Sequence, residues 1–126
     1  ISVYDGFDVY GHIDYVVRYG PNKNLEYSYG RYKDILDEIL RKLISKGKGI
    51  ELNTGGYHYG LGEPNPCTAV IKRYRELGGE IITIGADAHT PDKVAYAFDK
   101  AATVLENCGF RYYTVFKDHK PEFISL

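Results

Sequence analysis

Asp87-Ala88-His89 places a carboxylate and an imidazole two residues apart, shortly after Gly85. In extended backbone, side chains at that spacing leave the same side of the chain, so both could hold one divalent ion. The alternative is that they cap and orient a helix. Thr90-Pro91 announces one, with a hydroxyl N-cap and proline at the first helical position. His12, in Gly11-His12-Ile13-Asp14, is the second candidate; a histidine within an apolar strand can equally be a satisfied core residue. Arg18, six residues further on, carries a planar fork suited to phosphate oxygens. His58 lies in Gly55-Gly56-Tyr57-His58-Tyr59-Gly60, a glycine-rich loop that either closes over a ligand or simply exposes a surface histidine.

Other features carry less chemistry. His119, in the polar turn Lys117-Asp118-His119-Lys120, reads as solvated. Cys67 has no evident base and Cys108 ends a helix beside Gly109, so both read as structural thiols. Gly60-x-Gly62 lacks the lysine and the strand-to-helix register of a phosphate loop. The tyrosines of residues 27–32 could stack on bases, but with no basic excess ordinary packing is the better reading.

These residues need elements to position them. Val9-Tyr10-Gly11-His12-Ile13 has the composition of a short buried strand. Tyr32, Ile35, Leu36, Ile39, Leu40, Leu43 and Ile44 recur at helical spacing, and Gly47 stops the run. Gly49 to Asn53 reads as a second strand, followed by a glycine-rich loop over 54–63. A helix then carries Val70, Ile71, Tyr74 and Leu77 inward and ends at Gly78-Gly79. Ile81 to Ile84 is a continuous β-branched run of the kind buried on both faces. From Thr90-Pro91 a helix is predicted with Val94, Phe98, Ala101, Ala102 and Leu105 inward, stopped by Gly109. Tyr112 to Phe116 reads as a fourth strand and 121–124 as an edge strand.

The pattern is βαβαβαβ, the signature of a parallel sheet with ligand residues beyond the strands' carboxyl ends. His12 and Asp14, Asn53-Thr54 and Asp87-x-His89 all fall on that one rim. Four strands cannot close a barrel of the usual eight, so the sheet is open or the rest of it lies elsewhere.

Composition bounds the function. The chain has 126 residues, 44% hydrophobic and 26% charged, as expected of one globular domain. Sixteen basic against seventeen acidic residues give a net charge of −1, which argues against a nucleic-acid-binding field. No apolar run reaches the ~20 residues of a membrane span, and no leader pattern precedes the chain. Two cysteines form no disulfide framework, so a reducing cytoplasmic setting is expected. There is no methionine, and Ile1-Ser2-Val3-Tyr4-Asp5-Gly6 runs straight into a strand-like stretch, which raises the expectation of a fragment.

Taken in order, Gly11-His12-Ile13-Asp14 with Arg18-Tyr19, Gly49-Ile50-Glu51-Leu52-Asn53-Thr54-Gly55-Gly56, Leu61-Gly62-Glu63-Pro64, Ile84-Gly85-Ala86-Asp87-Ala88-His89 and Tyr112-Tyr113-Thr114-Val115-Phe116 resemble one family. Nearly the whole chain, residues 1–126, is similar to the C-terminal half of a histidinol-phosphatase of the PHP (polymerase and histidinol phosphatase) family. The resemblance implies the C-terminal part of a distorted TIM-like (β/α)7 barrel with a two- or three-metal site at its rim. It implies hydrolysis of L-histidinol phosphate to L-histidinol and phosphate. By position, His12, Asp87 and His89 match metal ligands, with Asp87 and His89 also serving catalysis. Arg18 matches an arginine that approaches the substrate phosphate. His58 stands where the family often carries arginine. The family's His-x-His motif, a further histidine and a glutamate ligand belong to the first barrel half and are absent from these residues.

Zinc, manganese and iron all accept such a mixed nitrogen and oxygen ligand set. Divalent ions there would clamp phosphate oxygens and lower the pKa of a bound water. Two rivals stand beside this reading: a PHP phosphoesterase for another small phosphate ester, and a non-catalytic metal-binding module. A half barrel exposes sheet edges, so self-association or assembly with the other half is expected.

Overall fold

In a computed structural model, residues 3–126 are described; Ile1 and Ser2, which open the segment leading into the first expected strand, lie outside them. Three parallel strands form the sheet: β1 (Val9–Tyr10), β2 (Gly49–Asn53) and β3 (Ile82–Gly85), in the order β1-β2-β3. The crossovers run through α1 (Lys33–Ser45) and, after a single helical turn α2 (Gly55–His58), through α3 (Thr68–Glu76). After α4 (Phe98–Asn107) the chain closes with β4 (Tyr112–Lys117) and β5 (Lys120–Ser125). This is a mixed α/β fold, as the alternating periods predict.

Register explains which face is apolar. Tyr10 pairs with Ile50, Ile50 with Ile82, and Leu52 with Ile84, so these side chains share one face. Helices α1 and α3 pack on it through Leu36, Leu40, Leu43, Val70, Ile71 and Tyr74. Ile50, Leu52 and Ile82 are fully buried there, each contributing about 1.5–3 kcal/mol by leaving water. The opposite face carries Gly11, Glu51, Thr83 and Gly85, all partly exposed. β3 is therefore not buried on both faces, as its β-branched run predicts, and only one face is covered.

Three further expectations are corrected. First, β1 stops at Tyr10. His12 adopts φ +60°, outside extended backbone, so it is not a strand residue. Second, Thr90-Pro91 starts only a 3₁₀ turn, Pro91–Lys93, and the helix waits until Phe98. Ala95 and Ala97 take left-handed φ of +56° and +55°, which no α-helix propagates. Thr54 Oγ1 donates to Tyr96 O at 2.6 Å, and that bond ties the break to the loop after β2. Val94 is consequently 70% exposed rather than inward; Ala101 and Leu105 are buried as expected.

Third, β4 is not a fourth parallel strand. It pairs antiparallel with β5 from Tyr112↔Ser125 to Lys117↔Lys120. Asp118 and His119, both at positive φ, form the two-residue connection that a right-twisted hairpin favours. The hairpin still meets the main sheet, where Ile82 N donates to the buried Thr114 Oγ1 at 3.2 Å.

Between α1 and α3, Arg73 donates to both oxygens of Asp37 at 2.7–3.1 Å, and Tyr29 Oη donates to Asp37 Oδ1 at 2.6 Å. The Arg73 bond, aided by Tyr29, holds the Asp37 carboxyl down at about 2. A depressed folded-state pKa means the pair stabilises above the unfolded value near 3.8 and is lost as pH falls toward 2. Asp37→Asn should therefore flatten the acid limb of stability between pH 4 and 2, measured as the change in urea midpoint with pH against wild type.

Candidate functional site

The rim is built by the turns that leave β1, β2 and β3. Asp87, just beyond β3, sits at φ +51° and His12, just beyond β1, at φ +60°. Non-glycine residues in the left-handed region are uncommon and cluster at functional sites. Asp87 and His89 do converge, but through this left-handed turn and not through strand alternation: Asp87 Oδ1 lies 3.6 Å from His89 Nε2. His89 is 77% exposed at its side chain, open to a ligand.

Arg18 reaches the same carboxylate. Its Nη2 donates to Asp87 Oδ2 at 3.0 Å. The side chain is 3% exposed, with its guanidinium 3.4 Å from the Tyr15 ring centre and 4.0 Å from that of Tyr59. Flat cation on aromatic face is favourable, and more so without water. Arg18 Nε is buried with no hydrogen-bond partner. Tyr15 and Tyr19 join their hydroxyls at 2.8 Å beside it. That bond raises the Tyr15 phenol above its ordinary value and lowers Tyr19 below it.

His58 lines one small cleft with Asp87 and His89, of about 110 Å³. Its ring meets Tyr96 edge-on at 6.0 Å, so this exposed histidine, which ends the helical turn α2 rather than lying in a loop, faces the rim. Lys93, in the turn after His89, lines the same cleft and lies 5.0 Å from the Tyr96 ring. Sequence reasoning missed this cation because it expected a continuous helix there.

His12 stands apart from that cleft. Its Nε2 is 3.9 Å from Glu51 Oε2 and its ring meets Tyr15 edge-on at 4.5 Å. Among the described residues no three His, Cys, Asp or Glu side chains converge as a metal cage. The donor set fits a divalent ion in kind, imidazole with carboxylate, and Asp87 with His89 supplies a converging pair. As a ligand set it is incomplete within this chain.

Asp14 turns away from the rim. It is buried, accepting from Asn65 Nδ2 at 2.8 Å and from Cys67 N at 2.7 Å, where a carboxylate suits the amino end of α3. Burial pushes the Cys67 thiol up to about 11 and raises Cys108 as well. Neither is poised as a nucleophile. The loop after β2 is closely packed: a Cβ on Gly56 would lie 2.2 Å from the Glu63 backbone oxygen. Gly56→Ala should cost about 1–3 kcal/mol of stability, read from chemical denaturation; an unchanged midpoint would show that the loop yields freely.

Strands ending in a shared rim of imidazole, carboxylate and guanidinium define an α/β protein of the rim-site class. The chain is 33% identical over 95% of its length to histidinol-phosphatase from Lactococcus lactis, covering 44% of that protein. It is 34% identical over 88% of its length to a probable histidinol-phosphatase from Clostridium acetobutylicum, covering 43%. The fold superposes with TM-score 0.80 and 30% identity on the crystal structure of L. lactis histidinol phosphate phosphatase complexed with zinc, L-histidinol and phosphate, over 95% of this chain and 45% of that one. No protein-family model matches. The chain is thus homologous to histidinol-phosphatases along nearly its whole length while spanning less than half of theirs. Among the described residues no helix is long and apolar enough to cross a membrane.

Proposed function

We propose that this chain is the C-terminal half of a PHP-type phosphatase that hydrolyses L-histidinol phosphate to L-histidinol and phosphate, with its strands forming part of a TIM-like (β/α)7 barrel. The observation that carries this is the convergence of Asp87, His89 and Arg18 on one rim, in a chain homologous to such enzymes. The small, polar second face of the sheet, with Gly11, Glu51, Thr83 and Gly85, supports a barrel interior rather than a second helix layer.

In this reading His12, Asp87 and His89 hold divalent metal, for which zinc is favoured by the L. lactis complex. Bound there, the metal would supply Lewis-acid polarisation of phosphate and an acidified water. The chain's own residues do the positioning. Asp87, fixed by Arg18 through one oxygen, keeps its other oxygen directed toward His89 and can orient a water. Arg18 is the proposed phosphate-facing cation and acts there through its charge, because its Nε is buried. Lys93 and His58 sit across the cleft, where they can neutralise or contact the ester. Stacking on Tyr15 and Tyr59 keeps Arg18 from water, which strengthens its field. The buried free thiols fit a reducing cytoplasm.

The test is phosphate release by the complete protein from a panel of phosphomonoesters. L-Histidinol phosphate should be the preferred substrate. Preference for another ester would move the protein to the second PHP phosphoesterase reading, and no release from any would leave a non-catalytic module. An in-frame His-x-His in the upstream coding sequence should accompany the first outcome.

The 126-residue chain by itself should bind zinc weakly and hydrolyse nothing, because its ligand set is incomplete. β1 is an edge of the sheet among the described strands, and an open edge invites pairing. Self-association, or assembly with the other barrel half, should appear in size-exclusion chromatography; a well-folded monomer would contradict it.

A further inference from the structure

Glu51 lies in the middle of β2, between the fully buried Ile50 and Leu52. Alternation sends its side chain to the second face of the sheet, where it is 23% exposed. A carboxylate held there, off the helix-covered core, needs a reason. The neighbouring strands make room for it. A Cβ on Gly85 would lie 2.3 Å from Glu51 Oε1, and a Cβ on Gly11 would lie 3.1 Å from Oε2. Neither glycine has positive φ, so backbone conformation does not demand them; a methyl group at either would press on the Glu51 carboxylate instead. Asn53 Nδ2 donates to Oε2 at 3.1 Å while its own Oδ1 accepts from Gly55 N at 2.8 Å. One face of the carboxylate is thus anchored to the loop after β2, and Oε2 lies 3.9 Å from His12 Nε2.

We infer that Glu51 is a positioning residue for His12, the carboxylate that orients its imidazole toward a bound metal. The inference rests on the proposed reading of His12 as a metal ligand. Metal-binding imidazoles commonly donate their second ring N–H to a carboxylate, which fixes tautomer and orientation and raises ligand basicity. With Nε2 turned to Glu51, Nδ1 is the nitrogen left for the ion. A shift of about 0.7–1.2 Å closes the present 3.9 Å gap to hydrogen-bond distance. Gly11 and Gly85 then have a shared purpose, keeping the cradle open for this carboxylate.

The test uses the complete protein and zinc alone, titrated against a chromophoric chelator, with thermal unfolding of the metal-free protein beside it. Glu51→Gln should weaken zinc binding by roughly 10–100-fold and leave the metal-free Tm within a few degrees of wild type. Gly85→Ala, which keeps Glu51 but displaces its carboxylate, should weaken zinc in the same direction. Unchanged zinc affinity in Glu51→Gln overturns the inference, whether or not Gly85→Ala folds. So does complete loss of one zinc equivalent, which would make Glu51 a ligand itself. A wild-type protein that binds no zinc overturns both this inference and the reading beneath it. Wild-type zinc binding with unaffected variants overturns the inference alone.

Discussion

Asp87→Ala in the complete protein should lower histidinol phosphate turnover by roughly a thousandfold, equivalent to about 4 kcal/mol of transition-state stabilisation. Bound zinc should fall with it. Asp87 is where the rim's separate parts meet: one oxygen accepts from the buried Arg18 and the other faces His89. Its removal therefore takes away a proposed ligand and strands a guanidinium that is 3% exposed. His89→Ala should lower zinc content and rate together as well, but by less, because His89 is exposed and no other residue depends on it. Asp87→Asn separates the two roles. It keeps the shape and an acceptor for Arg18 while losing the charge a metal needs, so it should fold like wild type and remain inactive. Full zinc occupancy and unchanged turnover in both alanine variants would remove these residues from the site.

Arg18→Met should be the second large effect, a loss of roughly 10²–10³ in kcat/KM. The stacked, hydrogen-bonded guanidinium also holds the loop after β1 against the rim. Its loss should cost about 2–3 kcal/mol of stability by denaturant titration. Two origins for the kinetic loss can be told apart. If Arg18 acts by holding Asp87, kcat and zinc content fall. If it meets the phosphate itself, KM and inhibition by inorganic phosphate move most. Arg18→Lys should not restore activity, because an ammonium cannot stack between Tyr15 and Tyr59 while pairing with Asp87. A lysine variant with wild-type kinetics would contradict the sandwich as a working part of the site.

The α1 stripe was legible from apolar side chains at helical spacing, with Leu36, Leu40 and Leu43 buried, but its first members do not belong to it: Tyr32 precedes the helix and Ile35 is exposed. β2 and β3 were legible for a similar reason, as short apolar runs bounded by glycine and polar residues. What failed was continuity. Thr90-Pro91 is a genuine helix-start signal, and a turn does begin there. The left-handed Ala95 and Ala97 that interrupt it answer to a contact with Thr54, 42 residues away, which no local pattern contains. Tyr112–Lys117 has the composition of a parallel core strand, but Asp118-His119 allows the chain to reverse at once.

Of the expected rim residues the structure brings Arg18, His58, Asp87 and His89 together, by a geometry other than strand alternation. Asp87 and His89 meet across a left-handed turn, while His12 faces Glu51 rather than the Asp87 cleft. Arg18 is held by aromatic faces that tyrosine-rich composition hinted at without locating. Glu51 was overlooked although it carried a signal: a lone charge inside an apolar strand, with one glycine just beyond β1 and another at the end of β3 lying beside its carboxylate.

The most direct test of the central claim is a zinc-edge anomalous difference map from crystals of the complete protein grown with zinc and phosphate. The account predicts zinc within coordination distance of Asp87 and His89, with His12 ligating at the same rim and phosphate beside Arg18. Zinc bound elsewhere, with those three side chains free of metal, would contradict it.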